Sequence, residues 1–272
     1  MKDILVFIDF SETSRKALDQ AASIAQREHA ALTLCHVYHA SSKRSKDEAS
    51  SLLASMATEM SVNITKPITK LGEGDFFVEA ERIVAELKPD LVVAANHGVK
   101  SLDHRIFGSA IHKLVQQIEA PTLLINEAAE VSEGGFKNIM LPAAPHPDFH
   151  LKVEAAASVL APEGKILLFV IIQPGQPLDP DSARNMDRAK EWLTSQNVKW
   201  EYREVDAVKH AIGYADQTLR VMGSEQMDLI AIMARISDKH RHFGKIDKER
   251  VLLNEEGFQV LCANGPAPKK QE

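Results

Sequence analysis

Three segments of the first half of the chain return in the same order 135 to 138 residues later. Lys2-Asp3-Ile4-Leu5 lies over Lys137-Asn138-Ile139-Met140, and Pro89-Asp90-Leu91-Val92-Val93 lies over Met227-Asp228-Leu229-Ile230-Ala231. Pro121-Thr122-Leu123-Leu124-Ile125 likewise lies over Gly257-Phe258-Gln259-Val260-Leu261. A repeat of this length means that one folding unit is built twice, and 272 residues are comfortable for two domains of about 135 each. Asn126 to Gly135, acidic and ending Glu133-Gly134-Gly135, has the composition of a linker. The expected division is a first domain over 1–126, a linker over 127–135, a second domain over 136–263 and a polar tail over 264–272.

Within the first half, apolar runs near 3–8, 31–37, 63–71, 89–94 and 121–125 read as strands. Helices are expected near 12–28, 46–60, 75–87 and 109–118, the last with Ile111, Leu114, Val115 and Ile118 at helical spacing. Ser11 stands where an N-cap for the first helix belongs. Strictly alternating strands and helices imply a parallel sheet with right-handed crossovers and helices on both faces. Pro67 falls inside the third predicted strand, and proline is tolerated mainly at sheet edges. That suits the order 3-2-1-4-5. The second half repeats the plan, with strands near 138–141, 165–171, 198–205, 227–232 and 258–262 and helices near 147–161, 179–195, 210–222 and 244–255. The predicted fold class is therefore α/β, as two tandem doubly wound domains, each with a five-stranded parallel sheet.

Charge and composition remove several classes of function. A net charge of −6 argues against a phosphate-backbone binder, so no nucleic-acid partner is expected. The basic run Ser42 to Lys46 is broken at once by Asp47 and Glu48 and reads as a solvated helix start. Cys35 and Cys262 sit in apolar runs of different halves, so buried thiols are expected rather than a disulfide framework. The opening Ile4 to Ile8 is too short for a signal segment, and no apolar stretch reaches the length of a membrane span. A cytoplasmic location is the economical expectation.

In a doubly wound sheet, ligands bind beyond the carboxyl ends of the strands, where the strand order changes direction. Here that lies between strands one and four. Asp9-Phe10-Ser11 follows the first, and a loop from Ala95 to Phe107 follows the fourth and leads to Gly108-Ser109 at the start of a helix. Free backbone N–H groups and the helix dipole favour an anion at that point. The stretch Ala95-Asn96-His97-Gly98, nine residues, Gly108-Ser109 resembles the nucleotide motif of the universal stress protein family, which runs Gly, two residues, Gly, nine residues, Gly, then Ser or Thr. The first strand, with Asp9 and Ser11 behind it, is also similar to that family's opening, and the resemblance extends over nearly the whole chain as two copies.

The resemblance implies that Asp9, Ser11 and Val37 border the adenine pocket, and that Ala95, His97, Gly98, Gly108 and Ser109 form the nucleotide loop. Ala95 departs from the motif by replacing its first glycine. The bland reading of Gly98 and Gly108 is that they serve turns and a helix start. The implied ligand is ATP or another adenine nucleotide, with Mg²⁺ as its companion ion. His104 and Arg105 in the same loop are placed to pair with phosphate, although charges on exposed loops are common.

The second half departs further. Ala144 stands in place of Asp9, and Lys245 follows Gly244 where Ser109 follows Gly108. The position matching Gly98 becomes Ile236 or Ala234, depending on the direction of counting, and no standard nucleotide site is expected there. His146 and His150 follow the first strand of this half, and Asp238, His240 and His242 follow its fourth. Imidazoles and a carboxylate bordering one crevice suit Zn²⁺. Scattered surface histidines are the competing reading, and Lys239, Arg241 and Lys245 point equally to an anion.

Together these features predict a stress-response regulatory protein that binds an adenine nucleotide without strong catalysis. Protein partners and an intramolecular pseudo-dimer, with homodimers as a further level, are what the resemblance implies. One alternative is a sensor or carrier of a metal, an anion or a lipid-like molecule in the altered second crevice. A weak ATP hydrolase is the other, although the chain has no Gly-x-x-x-x-Gly-Lys-Ser/Thr loop and no nucleophile–base pair.

Overall fold

The computed structural model describes residues 1–61, 64–96, 108–208, 213–235 and 241–265, with the backbone alone at 108–112 and 241–246. The chain divides into two compact units, Met1–Gly135 and Phe136–Glu272. The first runs β1 (Asp3–Phe7), α1 (Glu12–Glu28), β2 (Ala31–Tyr38), α2 (Lys46–Met60), β3 (Ile68–Glu73), α3 (Phe76–Leu87), β4 (Leu91–Asn96), α4 (Gly108–Gln117) and β5 (Thr122–Asn126). All of its strands are parallel, and β2 joins β3 to β1 while β4 joins β1 to β5. That is the order 3-2-1-4-5.

The apolar runs explain which strands are central. Every residue of β4 and all but the first of β1 are buried, as strands covered by helices on both faces must be. The helices begin and end where polar side chains and left-handed residues allow. Ser11 caps α1, Ser45 and Glu48 form a reciprocal capping box on α2, and Asp75 caps α3. His29 and Lys88 turn left-handed to end α1 and α3. Pro67 lies just before β3 rather than inside it, so the third strand starts later than the predicted 63; its lost N–H falls outside the ladder.

The second unit runs β6 (Phe136–Pro142), α5 (Phe149–Val159), β7 (Leu160–Ile172), α6 (Pro180–Ser195), β8 (Lys199–Asp206), α7 (Ala215–Ser224), β9 (Leu229–Met233), α8 (Arg241–Leu252) and β10 (Gln259–Ala263). Its parallel pairings, β8 to β7, β7 to β6, β6 to β9 and β9 to β10, repeat the order 3-2-1-4-5. One irregularity is its own: β6 pairs Phe136 with Leu160 and then Asn138 with Lys165, so three residues of β7 bulge out.

One aspartate in each unit locks the first strand to the fourth. Asp90 Oδ2 accepts from the N–H groups of Lys2 and Asp3, at 2.5 and 3.1 Å. Asp228 Oδ2 accepts from Lys137 and Asn138, at 2.8 and 2.9 Å. The same strand starts are tied by backbone bonds from Asp90 to Asp3 and from Asp228 to Asn138. Residues 127–135 lie along α1: buried Gln20 exchanges two bonds with Ser132, and Ser23 and Arg27 bond Gly134.

Candidate functional site

The crevice of the first unit opens where β1 and β4 lie side by side and lead away in opposite directions, to β2 and to β5. Val6 faces Val93, and the same register carried three residues on sets Asp9 level with Asn96. Asp9 is held firmly. Its Oδ1 accepts from the N–H of Ser11 at 2.9 Å and from the Ser11 hydroxyl at 2.5 Å. That hydroxyl oxygen also accepts from the N–H of Ser14, which caps α1. Ser11 is thus occupied as donor and acceptor, and its work is to orient Asp9.

Phe10, between them, takes a φ of 64°, uncommon for a bulky side chain and the kind of local strain that collects at working sites. Its ring lies 4.6 Å from that of His36, and the Arg44 guanidinium lies 5.3 Å from its centre. His36 Nδ1–H donates to the Ile8 carbonyl at 2.7 Å, which leaves Nε2 unprotonated in the neutral ring. Burial lowers the His36 pKa, and Arg44 adds to the fall, against the pull of the Ile8 carbonyl and Asp9. Val37, half-buried, ends this wall opposite Gly72. A Cβ on Gly72 would stand 3.3 Å from Val37 Cγ2 and 3.0 Å from Ile83 Cδ1, so glycine gives this wall its room.

Ala95 lies inside β4 opposite Ile125 and is 3% exposed; its backbone serves the sheet and its methyl is packed away. His97, Gly98, His104 and Arg105 lie outside the described residues. Gly108 and Ser109 open α4, which places a helix N-terminus after β4.

The second crevice is built the same way from different chemistry. Met140 faces Ile230, and the register carried four residues on sets Ala144 level with Ala234, the places that Asp9 and Asn96 hold in the first unit. Two alanines leave space. A cavity of about 200 Å³ is lined by apolar side chains such as Pro142, Ile232 and Val251, and by Lys152, Lys248, His146 and Asp247. Lys152 Nζ donates to the Pro142 carbonyl at 2.5 Å and lies 4.3 Å from the centre of the Phe149 ring. Lys248 Nζ donates to the Arg235 carbonyl at 2.5 Å. Burial, then the charge of Lys248, pushes Lys152 well below the usual lysine range, and burial brings Lys248 down to about 8. Burial also lowers His146, helped by Lys248 and Lys152 and opposed by Asp148. Asp247 Oδ1 is spent on α7, accepting from the N–H groups of Tyr214 and Ala215 at 2.9 and 3.0 Å.

Of the five metal candidates, the two whose side chains are described, His146 and His150, lie in different hollows. His146 lines this cavity, with its Nδ1 accepting from the N–H of Asp148, whereas His150 lines a separate hollow with Trp192 and Arg188. Asp238 and His240 lie outside the described residues, and for His242 only the backbone is described. Among the described residues no group of three or more His, Cys, Asp or Glu is placed to hold a metal ion. No helix among them is long and apolar enough to cross a membrane.

Residues 1–126 match the model of the universal stress protein family. The first unit is a universal stress protein domain. Over the whole chain, the structure resembles a universal stress protein from Archaeoglobus fulgidus DSM 4304, with a TM-score of 0.72, 12% identity and 97% of each chain covered. It also resembles a protein of unknown function from Pseudomonas aeruginosa PAO1, with a TM-score of 0.60, 15% identity, and 97% of this chain and 92% of that one covered. At these identities the likeness is one of fold. Among curated proteins, none matches the sequence.

Sequence reasoning missed buried Lys152 and half-buried Lys248. Lys152 falls on the stripe Phe149, Lys152, Val153, Ala156, the spacing of a helix face turned to the core. A cation on such a stripe is the signal that would have found it. Lys248 precedes buried Val251 and Leu252 by three and four residues, and the same signal applies. Phe10 and Arg44 carry no sequence signal, because their meeting depends on the turn after β1 and the loop after β2.

Proposed function

We propose that the chain is a tandem universal stress protein that binds an adenine nucleotide in the crevice of its first unit, as a regulatory ligand and not as a substrate for fast turnover. The observation that carries this reading is Asp9, held by Ser11 just beyond β1 at the strand-order switch, with α4 opening at Gly108 beyond β4. Adenine and ribose need polar groups of fixed direction at the mouth of the sheet, and Asp9 is oriented by Ser11 before any ligand arrives. Phosphate needs backbone N–H groups at a helix N-terminus, which α4 supplies. Ala95 fits this arrangement, because its methyl is buried within β4. The family membership of residues 1–126 supports the same reading.

Mg²⁺, if carried in with the phosphates, would find in Asp9 a carboxylate at the crevice; the chain's own residues bind and orient. A calorimetric titration with Mg-ATP tests the assignment, run beside a Gly108→Val/Ser109→Ala variant. Saturable binding near one site per chain, lost in the variant, is the expected result. No binding to the unaltered chain would overturn it.

A further inference from the structure

We infer that the crevice of the second unit is a binding site for a small organic anion, a carboxylate or phosphate head on a short apolar body, held by Lys152 and Lys248. The lining is divided in the way such a molecule requires. Its walls are Pro142, Ala144, Ile232 and Val251, and the amines of buried Lys152 and half-buried Lys248 line it together with His146 and Thr218.

Each amine has one carbonyl acceptor, Pro142 for Lys152 and Arg235 for Lys248, and among the described residues neither forms an ion pair. An ammonium carries three donors, so two on each lysine are left for a ligand. Asp247, the carboxylate in the lining, has Oδ1 committed to the N-terminus of α7. Among the described residues the carboxylate in this lining, Asp247, pairs with neither lysine, and an incoming anion completes the arrangement. Loss of water around both amines, and the charge of Lys248 acting on Lys152, hold them below the usual lysine range.

Size narrows the class. At about 200 Å³ the cavity is smaller than the roughly 300–1,000 Å³ typical of drug-sized ligands. Ala144 and Ala234 also remove the polar pair that the first crevice offers. The ligand is therefore more compact than a nucleotide and less polar over its body.

The test uses the full chain at neutral pH, titrated with hexanoate, hexyl phosphate and hexanol, and followed by calorimetry and by the NMR signals of the lysine side chains. Binding of hexanoate or hexyl phosphate about tenfold or more tighter than hexanol is expected, and the tighter of the two identifies the head group. Lys152→Met and Lys248→Met should each weaken the anion by about tenfold or more and leave hexanol unchanged. A shift of both Nζ signals on adding the anion to the unaltered chain keeps the test independent of how the variants fold. Equal binding of hexanol and the anions, no binding of either anion, or anion binding that survives both substitutions would overturn the inference.

Discussion

Removing the Asp228 carboxylate should loosen the second unit by an amount that the geometry fixes in advance. In Asp228→Ala, the N–H groups of Lys137 and Asn138 lose the oxygen they share at 2.8 and 2.9 Å, while the backbone bond from residue 228 to Asn138 is kept. A hydrogen bond to a charged group contributes about 1.5–3 kcal/mol. Here the two donors share one oxygen and water reaches the half-buried strand start, so a net loss of about 2 kcal/mol is expected. With a urea m-value of about 2 kcal/mol per M, the midpoint falls by about 1 M. The chain's two tryptophans, Trp192 and Trp200, both lie in the second unit, so their fluorescence reports this unit directly. Asp228→Asn keeps a neutral acceptor and should fall by about half as much. An Ala variant within about 0.2 M of the parent, or an Asn variant as weak as the Ala one, would refute the reasoning.

Other expectations follow from the same contacts. Gly164→Ala forces a Cβ to within 2.8 Å of the Phe136 carbonyl oxygen and 3.0 Å of that of Ala161, so the bulge in β7 should cost about 1–3 kcal/mol in the same fluorescence assay. Gln20→Leu removes the acceptor of the Ser132 N–H and one of the donors to its carbonyl and should open residues 127–135 to a glutamate-specific protease, with faster cleavage at Glu127, Glu130 or Glu133 as the readout. His36 and His146 are held below their ordinary pKa, so each adds stability that is present above about 6.5 and lost as pH falls; NMR titration should place both midpoints under that value. Lys248, brought down to about 8 from 10.5, makes the second unit gain stability as pH rises between those values. That rise should be smaller in the urea midpoints of Lys248→Met, with the remainder due to Lys152.

The fold was legible because the strands most buried in the structure are also the plainest apolar runs, and because Asp90 and Asp228 stand immediately before two of them. Two boundaries shifted where local chemistry acts against periodicity: Pro67 delays β3, and the bulge from 161 to 164 extends β7 back to Leu160. Helices α7 and α8 also start away from the expected 210 and 244, at Ala215 and Arg241. The site was legible in part. Asp9 could be placed from the strand that precedes it, since the connection to α1 is only four residues long. Lys152 and Lys248 could not be paired from sequence, because α5 and α8 lie far apart in the chain and only the packing of the second unit brings their amines to one cavity. The converse holds for His146 and His150, which are four residues apart in the chain and are sent to different hollows.

The comparison of the two halves separates what the fold demands from what a ligand demands. Asp90 and Asp228 do the same work because their partners are backbone N–H groups, which any sequence folded this way must satisfy. At the places matching Asp9 and Asn96 the second unit carries Ala144 and Ala234. Losing two polar groups would by itself leave an apolar hollow, which needs no charge to be stable. The second unit instead holds two lysines there at an electrostatic cost that burial makes plain. A cost borne in the fold without an internal partner is most simply balanced by something that binds. The second crevice is thus read as a site of changed specificity, and not as a nucleotide site that has merely been lost.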